Sequence, residues 1–140
     1  LIGRGCRLAG VVFVERENHE SRRTSREAIA GALEGGATVT VFPEGTSFEG
    51  PGTLPFRKGS FEAAAARGIP VVPAAVEYHD RRCAWVGDDT FFRHFMDIFS
   101  RWRVFVTVYF GPPITGGDAV EIRDGARSWI DDKLRLMNYR

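Results

Sequence analysis

Apolar positions along this chain fall into two rhythms that alternate from one end to the other. Leu8–Arg16, LAGVVFVER, is a short apolar run ending in charge, and it predicts a buried strand leading to a polar loop. TSREAIAGALEGG then repeats apolar residues at helical spacing, with Ala28, Ile29, Ala32 and Leu33 on one face and Gly35–Gly36 as the stop. Thr24, with Glu27 three residues on, predicts a capping box at its start. ATVTVF predicts the next strand, GSFEAAAARG an alanine-rich helix stopped at Gly68, and IPVVPAAVEY a third strand. WRVFVTVYFG, dense in β-branched and aromatic residues, predicts a fourth. GDAVEIRDGARSWIDDKLRLM closes the chain as an amphipathic helix. Asp118 is its N-cap, Glu121 follows three residues later, and Ile122, Ala126, Ile130, Leu134 and Met137 face inward.

Strands alternating with helices, the middle strands almost wholly apolar, predict an α/β fold. The expected form is a layered sandwich, a mostly parallel or mixed sheet covered by helices. Repeats and low-complexity linkers are absent, so residues 1–140 are expected to form a single domain. FFRHFMDIFSRW, Phe91–Trp102, sets Phe91, Phe92, Phe95, Met96, Phe99 and Trp102 on one helical face. Amphipathicity alone favours an ordinary core-packing helix there over one lying on a membrane surface.

Composition changes this picture little. A domain of 140 residues can bury about two-thirds of its unfolded surface, and 44% hydrophobic with 26% charged residues excludes a disordered chain. A net charge of +1 argues against a nucleic-acid partner held by bulk charge. Basic clusters at Arg22, Arg23 and Arg26, at Arg81–Arg82 and at Arg101–Arg103 read first as solvated loop ends, and only second as contacts for anionic lipid head groups. Cys6 and Cys83 have neither metal-site spacing nor a disulfide framework, which points to a reduced, cytosol-facing setting. No run of 18 apolar residues exists to span a membrane. The chain starts at Leu with no signal-peptide pattern and runs almost directly into an apolar segment, so it is expected to be cut from something longer.

Several familiar chemistries are excluded by residue order. A phosphate-binding P-loop needs Gly-Lys-Ser/Thr, and the chain has Lys58-Gly59-Ser60. A nucleophile elbow needs Gly-x-Ser-x-Gly, and Gly45-Thr46-Ser47-Phe48-Glu49-Gly50 is one residue out of register. His19, His79 and His94 provide no metal-ligand spacing, and no metal or tightly held cofactor is expected. What stands out is TVTVFPEGTSFEGPG, where an apolar run ends in Pro43 and a carboxylate, Glu44, sits among Gly45, Thr46 and Ser47. Burying a lone carboxylate is costly, so Glu44 needs a partner or a task. Arg16 ends the preceding predicted strand in the same way. If the two strands are parallel neighbours, both side chains reach one crevice at the carboxyl edge of the sheet, where ligands bind. A guanidinium there suits phosphate. Physical argument alone leaves two options equally open, a binding site and an Arg–Glu pair that merely fixes two loops.

Read together, these blocks resemble a known family. AGVVFVER is similar to a G-x-x-F-I-x-R block, VFPEGTSFEG to F-P-E-G-T, and VVPAAV to V-P-x-x-I of the lysophospholipid acyltransferases, which include the 1-acylglycerol-3-phosphate acyltransferases. LPFRKGSFEAA, Leu54–Ala64, looks like the family's L-P-F-K-x-G helix start, and WVGDDTFFRHF with VTVYFGPPI is similar to its later segments. The resemblance covers nearly all of the chain, with the blocks in the family's order. It implies transfer of a fatty acyl group from coenzyme A or acyl carrier protein to a lysophospholipid hydroxyl, at the cytoplasmic face of a membrane such as the bacterial inner membrane. It further implies that Arg16, Glu44, Gly45 and Thr46, with Ser47 beside them, hold the phosphate-bearing acceptor, and that Pro73 shapes the pocket wall.

Two departures qualify what the resemblance implies. Many members carry Arg after the Thr of F-P-E-G-T, and this chain has Ser47; Arg57 and Lys58 are the nearby cations that would substitute. The family's general base is a His in an N-H-x-x-x-x-D block, its Asp orienting the imidazole. Asn18–His19 is followed at that offset by Thr24, His79 by Ala84 and His94 by Phe99, so none fits. The base and its Asp are therefore expected upstream of Leu1, and this chain is expected to carry the acceptor-binding half, inactive alone. The alternatives are a lipid- or phosphate-binding domain that never had the base, and an acyltransferase for another lyso-lipid such as lyso-ornithine lipid.

Overall fold

The computed structural model describes residues 19–48, 50–84 and 90–138. Helix α1, His19–Glu34, begins five residues before Thr24, so Thr24 lies inside it and the capping box expected there is not its start. Arg and Glu are good helix formers, and Arg23 and Glu27 pair across one turn at 3.8 Å, which suits the extra helical residues. The far end follows the sequence. Gly36 adopts φ +77°, its N–H donates to Leu33 O, and the Ala37 N–H reaches back to Ala32 O, both at 3.0 Å. That is a Schellman stop, which a residue with a Cβ enters only at a cost. Helix α2, Gly59–Ala65, ends likewise at Gly68, with φ +62° and an Ile69 N–H bond to Ala64 O.

Strands β1, Ala74–Tyr78, and β2, Val106–Phe110, pair antiparallel, with Ala74 opposite Phe110 and Tyr78 opposite Val106. A bridge between Val71 and Ile114 continues the ladder past Gly111, whose N–H donates to Pro73 O at 2.8 Å. The Arg81–Cys83 turn and helix α3, Phe91–Phe99, lie between the strands. Helix α4, Ala119–Asn138, completes the chain's order and packs against both α2 and β1, while α1 packs on α2. Asp118 caps α4 as its sequence predicts: Oδ1 accepts from the Val120 and Glu121 N–H groups at 2.7 and 2.9 Å, and the Asp118 N–H donates to Glu121 Oε2.

The α/β character expected from the alternating pattern is present, and the strands among the described residues form a two-stranded antiparallel sheet. Ala37–Phe42, expected as a strand, joins no ladder among the described residues, and Val41 and Phe42 are exposed. A strand needs a paired neighbour. The one expected beside it, Leu8–Arg16, lies outside the described residues, as does Cys6.

Phe56 and Phe61 stack with ring centroids 6.2 Å apart and bury themselves against Ile122 and Ala126 of α4, with Val71, Ile114 and Ile130 around them. Each Phe buried this way contributes about 1.5–3 kcal/mol. The cluster fixes the segment just before α2, and that segment reaches the Glu44 turn. Helix α3 behaves differently from its core-packing expectation. Phe92, Met96 and Phe99 are exposed, as is Trp102 beyond its end.

Candidate functional site

The Glu44 turn is held from two sides. Gly45 donates its N–H to Phe42 O at 3.1 Å, closing a tight turn over Pro43 and Glu44, and Gly45 itself sits at φ +71°. From the facing segment, the Arg57 N–H donates to Pro43 O at 3.0 Å, and the Leu54 N–H donates to Glu44 Oε2 at 2.8 Å. Phe56, buried in the core between those two donors, is the reason both stay in register. Glu44 therefore has a structural partner, and its Oε1 has no hydrogen-bond partner among the described residues.

The Arg57 side chain lies across this turn. A Cβ built on Gly45 would stand 2.9 Å from Arg57 Nε and 3.3 Å from Cζ, so the glycine is what lets the guanidinium lie against the turn. Arg57 makes no ion pair or side-chain hydrogen bond among the described residues, leaving its five donors available. Lys58 is engaged elsewhere: its Nζ is 2.9 Å from Glu62 Oε1, and Arg26 approaches the same carboxylate at 3.5 Å. The hydrogen bond from Lys58 is the chief cause holding the Glu62 carboxyl below its ordinary range. Of the two cations named as substitutes for the missing arginine, the structure brings Arg57 to the turn and ties Lys58 to α2. Thr46 and Ser47 are exposed beside Gly45.

Other expected site residues are placed less directly. Arg16 lies outside the described residues. Pro73 is buried at the start of β1, where Gly111 is wedged between it and Trp129, so its immediate contacts are with the sheet and α4. His79 Nε2 is 2.7 Å from Thr107 Oγ1, on the sheet and away from the Glu44 partners. Among the described residues no group of three or more His, Cys, Asp or Glu side chains converges as a metal ion requires.

Comparison with known proteins supplies the lineage. The family model described as Acyltransferase matches residues 1–77, more than half of the chain. The chain belongs to the acyltransferase family. The 1-acyl-sn-glycerol-3-phosphate acyltransferase of Haemophilus influenzae is 36% identical over 67 residues, 47% of this chain and 28% of that protein. That of Escherichia coli K12 is 36% identical over 70 residues, covering 49% and 29%. Human 1-acyl-sn-glycerol-3-phosphate acyltransferase alpha is 35% identical over 83 residues, covering 58% and 29%. The chain thus spans under a third of the length of these curated relatives. No solved structure matches it.

Sequence reasoning missed the clamp that steadies the acyltransferase chain's turn from behind. Asp131 of α4 accepts from the Thr53 N–H at 2.7 Å and from the Thr53 hydroxyl at 2.8 Å, both at Oδ1. Arg127 donates to Thr53 O at 3.0 Å and to its hydroxyl at 3.2 Å, and reaches Asp131 at 3.6 Å. Thr53 precedes Leu54, so this clamp positions the N–H that holds Glu44. The Arg127–Asp131 spacing was visible in the sequence as an ordinary pair one helical turn apart. Nothing local pointed to a partner 78 residues away. Gly52, at φ +89°, admits the approach, since a Cβ there would stand 3.0 Å from Asp131 Oδ1.

Proposed function

We propose that this chain is the acceptor-binding part of an enzyme of phospholipid biosynthesis. The enzyme moves a fatty acyl group from a thioester, on coenzyme A or acyl carrier protein, to the hydroxyl of 1-acylglycerol 3-phosphate or a similar lysophospholipid. The observation that carries this reading is the Arg57 guanidinium laid over Gly45 without a counter-ion among the described residues, beside a carboxylate that is already held. A phosphate approaching Glu44 alone would be repelled. With Arg57 between them the anion gains paired, charge-assisted hydrogen bonds.

In this reading Arg57 takes the place of the arginine that Ser47 lacks, and Arg16 joins it on the phosphate. Thr46 and Ser47 offer hydroxyls, and Glu44 Oε1 accepts from the glycerol hydroxyl or steadies a cation. Pro73 shapes the wall. None of the three histidines has Asp at the fifth residue after it, so the general base and its orienting Asp are assigned outside these residues. The activated hydroxyl attacks the thioester carbonyl, the thiolate leaves and takes up the proton, and no acyl-enzyme forms.

We further infer that the 140 residues belong to one acyltransferase-like domain, a layered sandwich with a further layer over one face of the β1–β2 sheet. The exposure of Val106, Val108 and Phe110 on that face supports this arrangement. Membrane association is inferred from the insolubility of the lipid substrates, and the cytoplasmic face from the resemblance to the lysophospholipid acyltransferases. Among the described residues no helix is long and apolar enough to cross a membrane.

Glu44→Gln tests the reading in the complete enzyme. The substitution keeps an oxygen for the Leu54 N–H and removes the charge. Acceptor turnover is expected to fall about tenfold, the scale of one charge-assisted bond, with the thermal midpoint unchanged. Parallel loss of turnover and stability would return Glu44 to a purely scaffolding role.

A further inference from the structure

Helix α3 exposes the residues that a core-packing helix would hide. Phe92, Met96 and Phe99 stand at i, i+4 and i+7, hence on one face, and are 72%, 50% and 73% exposed. Just past the helix, Trp102 is 92% exposed and Phe105 is exposed too. Phe95 stacks on Phe99 with centroids 4.2 Å apart, so the aromatic surface is contiguous there. Contiguous apolar surface of this kind on a water-facing helix marks a place of contact.

Charge around the patch selects the partner. Residues 91–103 hold three arginines against one aspartate. That aspartate, Asp97, is bridged by Arg101, which also binds Asp80 Oδ2 at 2.5 Å, while Arg82 holds Asp80 from the other side at 2.8 Å. Among the described residues, the acids beside the patch, Asp97 and Asp80, are thus paired within the fold. Arg93 and Arg103 have no ion-pair partner among the described residues. An aromatic ridge with unpaired arginines beside it complements an anionic bilayer surface, where Phe and Trp sit at head-group depth and arginine meets phosphate.

We infer that α3 and the segment through Phe105 form a membrane-docking surface that seats Phe92, Phe99 and Trp102 among the lipids, with Arg93 and Arg103 on anionic head groups. The surface itself indicates the lipid. The acyltransferase reading adds why a bilayer is at hand, and the inference rests on that reading to that extent.

Quenching of Trp102 by lipids brominated on their acyl chains tests this in the full-length polypeptide, because the signal reports this site even where another segment also binds the vesicle. With phosphatidylglycerol-containing vesicles, parent emission is expected to be quenched and the quenched component to vanish in Trp102→Phe. Arg93→Gln and Arg103→Gln are each expected to weaken binding to those vesicles about fivefold, and Phe99→Ser about tenfold or more, with unchanged thermal midpoints. Absence of vesicle binding, or bound protein whose Trp102 emission ignores the bromolipid, would overturn the inference. Shielding of Trp102 from acrylamide without lipid would overturn it too, assigning the patch to another protein segment. Acyl transfer to detergent-dispersed lysophosphatidate keeps the two claims apart. Activity there with no Trp102 quenching overturns the docking surface alone, and no activity there overturns the acyltransferase reading.

Discussion

Gly45→Ala separates the two things the glycine does. Its φ of +71° costs an L-residue with a Cβ about 1–2 kcal/mol, offset by about 0.5 kcal/mol of unfolded-state entropy that alanine removes. The net loss of about 1 kcal/mol corresponds to a fall of about 4 °C in the thermal midpoint for a domain of this size. The second effect is local. The new Cβ would stand 2.9 Å from Arg57 Nε, so the guanidinium must swing off the turn, which a flexible side chain does at little cost to stability. If Arg57 grips the acceptor phosphate, that displacement removes part of a charge-assisted pair, and KM for lysophosphatidate is expected to rise about tenfold. Gly45→Asn is the control, since asparagine tolerates the left-handed region but still carries a Cβ. The assay is acceptor saturation at fixed thioester concentration alongside thermal unfolding. Asn at this position is expected to recover most of the stability and none of the KM. A Gly45→Asn enzyme with parental KM would refute the idea that Arg57's position over the turn matters for binding.

Asp131→Ala removes the acceptor for two Thr53 donors and is expected to cost about 1.5–3 kcal/mol by chemical denaturation, with Asp131→Asn losing clearly less. Equal loss in both variants would show that charge, and not the hydrogen-bond geometry, holds the loop. Asp80 supplies a pH test. The hydrogen bonds from Arg82, side chain first and then backbone, with Arg101 nearby, hold its carboxyl far below the ordinary carboxylate range. A folded-state value that is depressed gives stabilisation that is complete above the unfolded value, about 4, and is lost only as pH falls through the folded one. The stability gap between parent and Asp80→Asn is therefore expected to be flat from neutral pH to about 4 and to shrink in stronger acid. A gap that closes between pH 7 and 5 would contradict that assignment.

Features set by a few neighbouring residues were legible in the sequence. The Asp118–Glu121 cap, the stops at Gly36 and Gly68 and the inward Ile122 and Ala126 each depend on a handful of positions, and the structure shows them as read. Features set by distant partners were not. Ala37–Phe42 has a strand's composition, but β-branched residues favour pairing without supplying the pair, and its expected partner Leu8–Arg16 lies outside the described residues. The aromatic face of α3 has one pattern for two fates, and only its exposure distinguishes surface from core. Within the site, FPEGT flagged Glu44 and Gly45 directly. Choosing Arg57 over Lys58 needed the positions of Gly45 and Glu62, and the Thr53–Asp131 clamp needed a fold that brings α4 to the loop.

The proposed function turns on Arg57, laid over the Glu44–Gly45 turn, meeting the phosphate of the acceptor. The most direct measurement compares Arg57→Ala with the parent enzyme on two acceptors, lysophosphatidate and a monoacylglycerol that lacks the phosphate. KM for lysophosphatidate is expected to rise about tenfold or more, with the phosphate-free acceptor and the thioester unaffected. An equal change for both acceptors, or none for either, would contradict it.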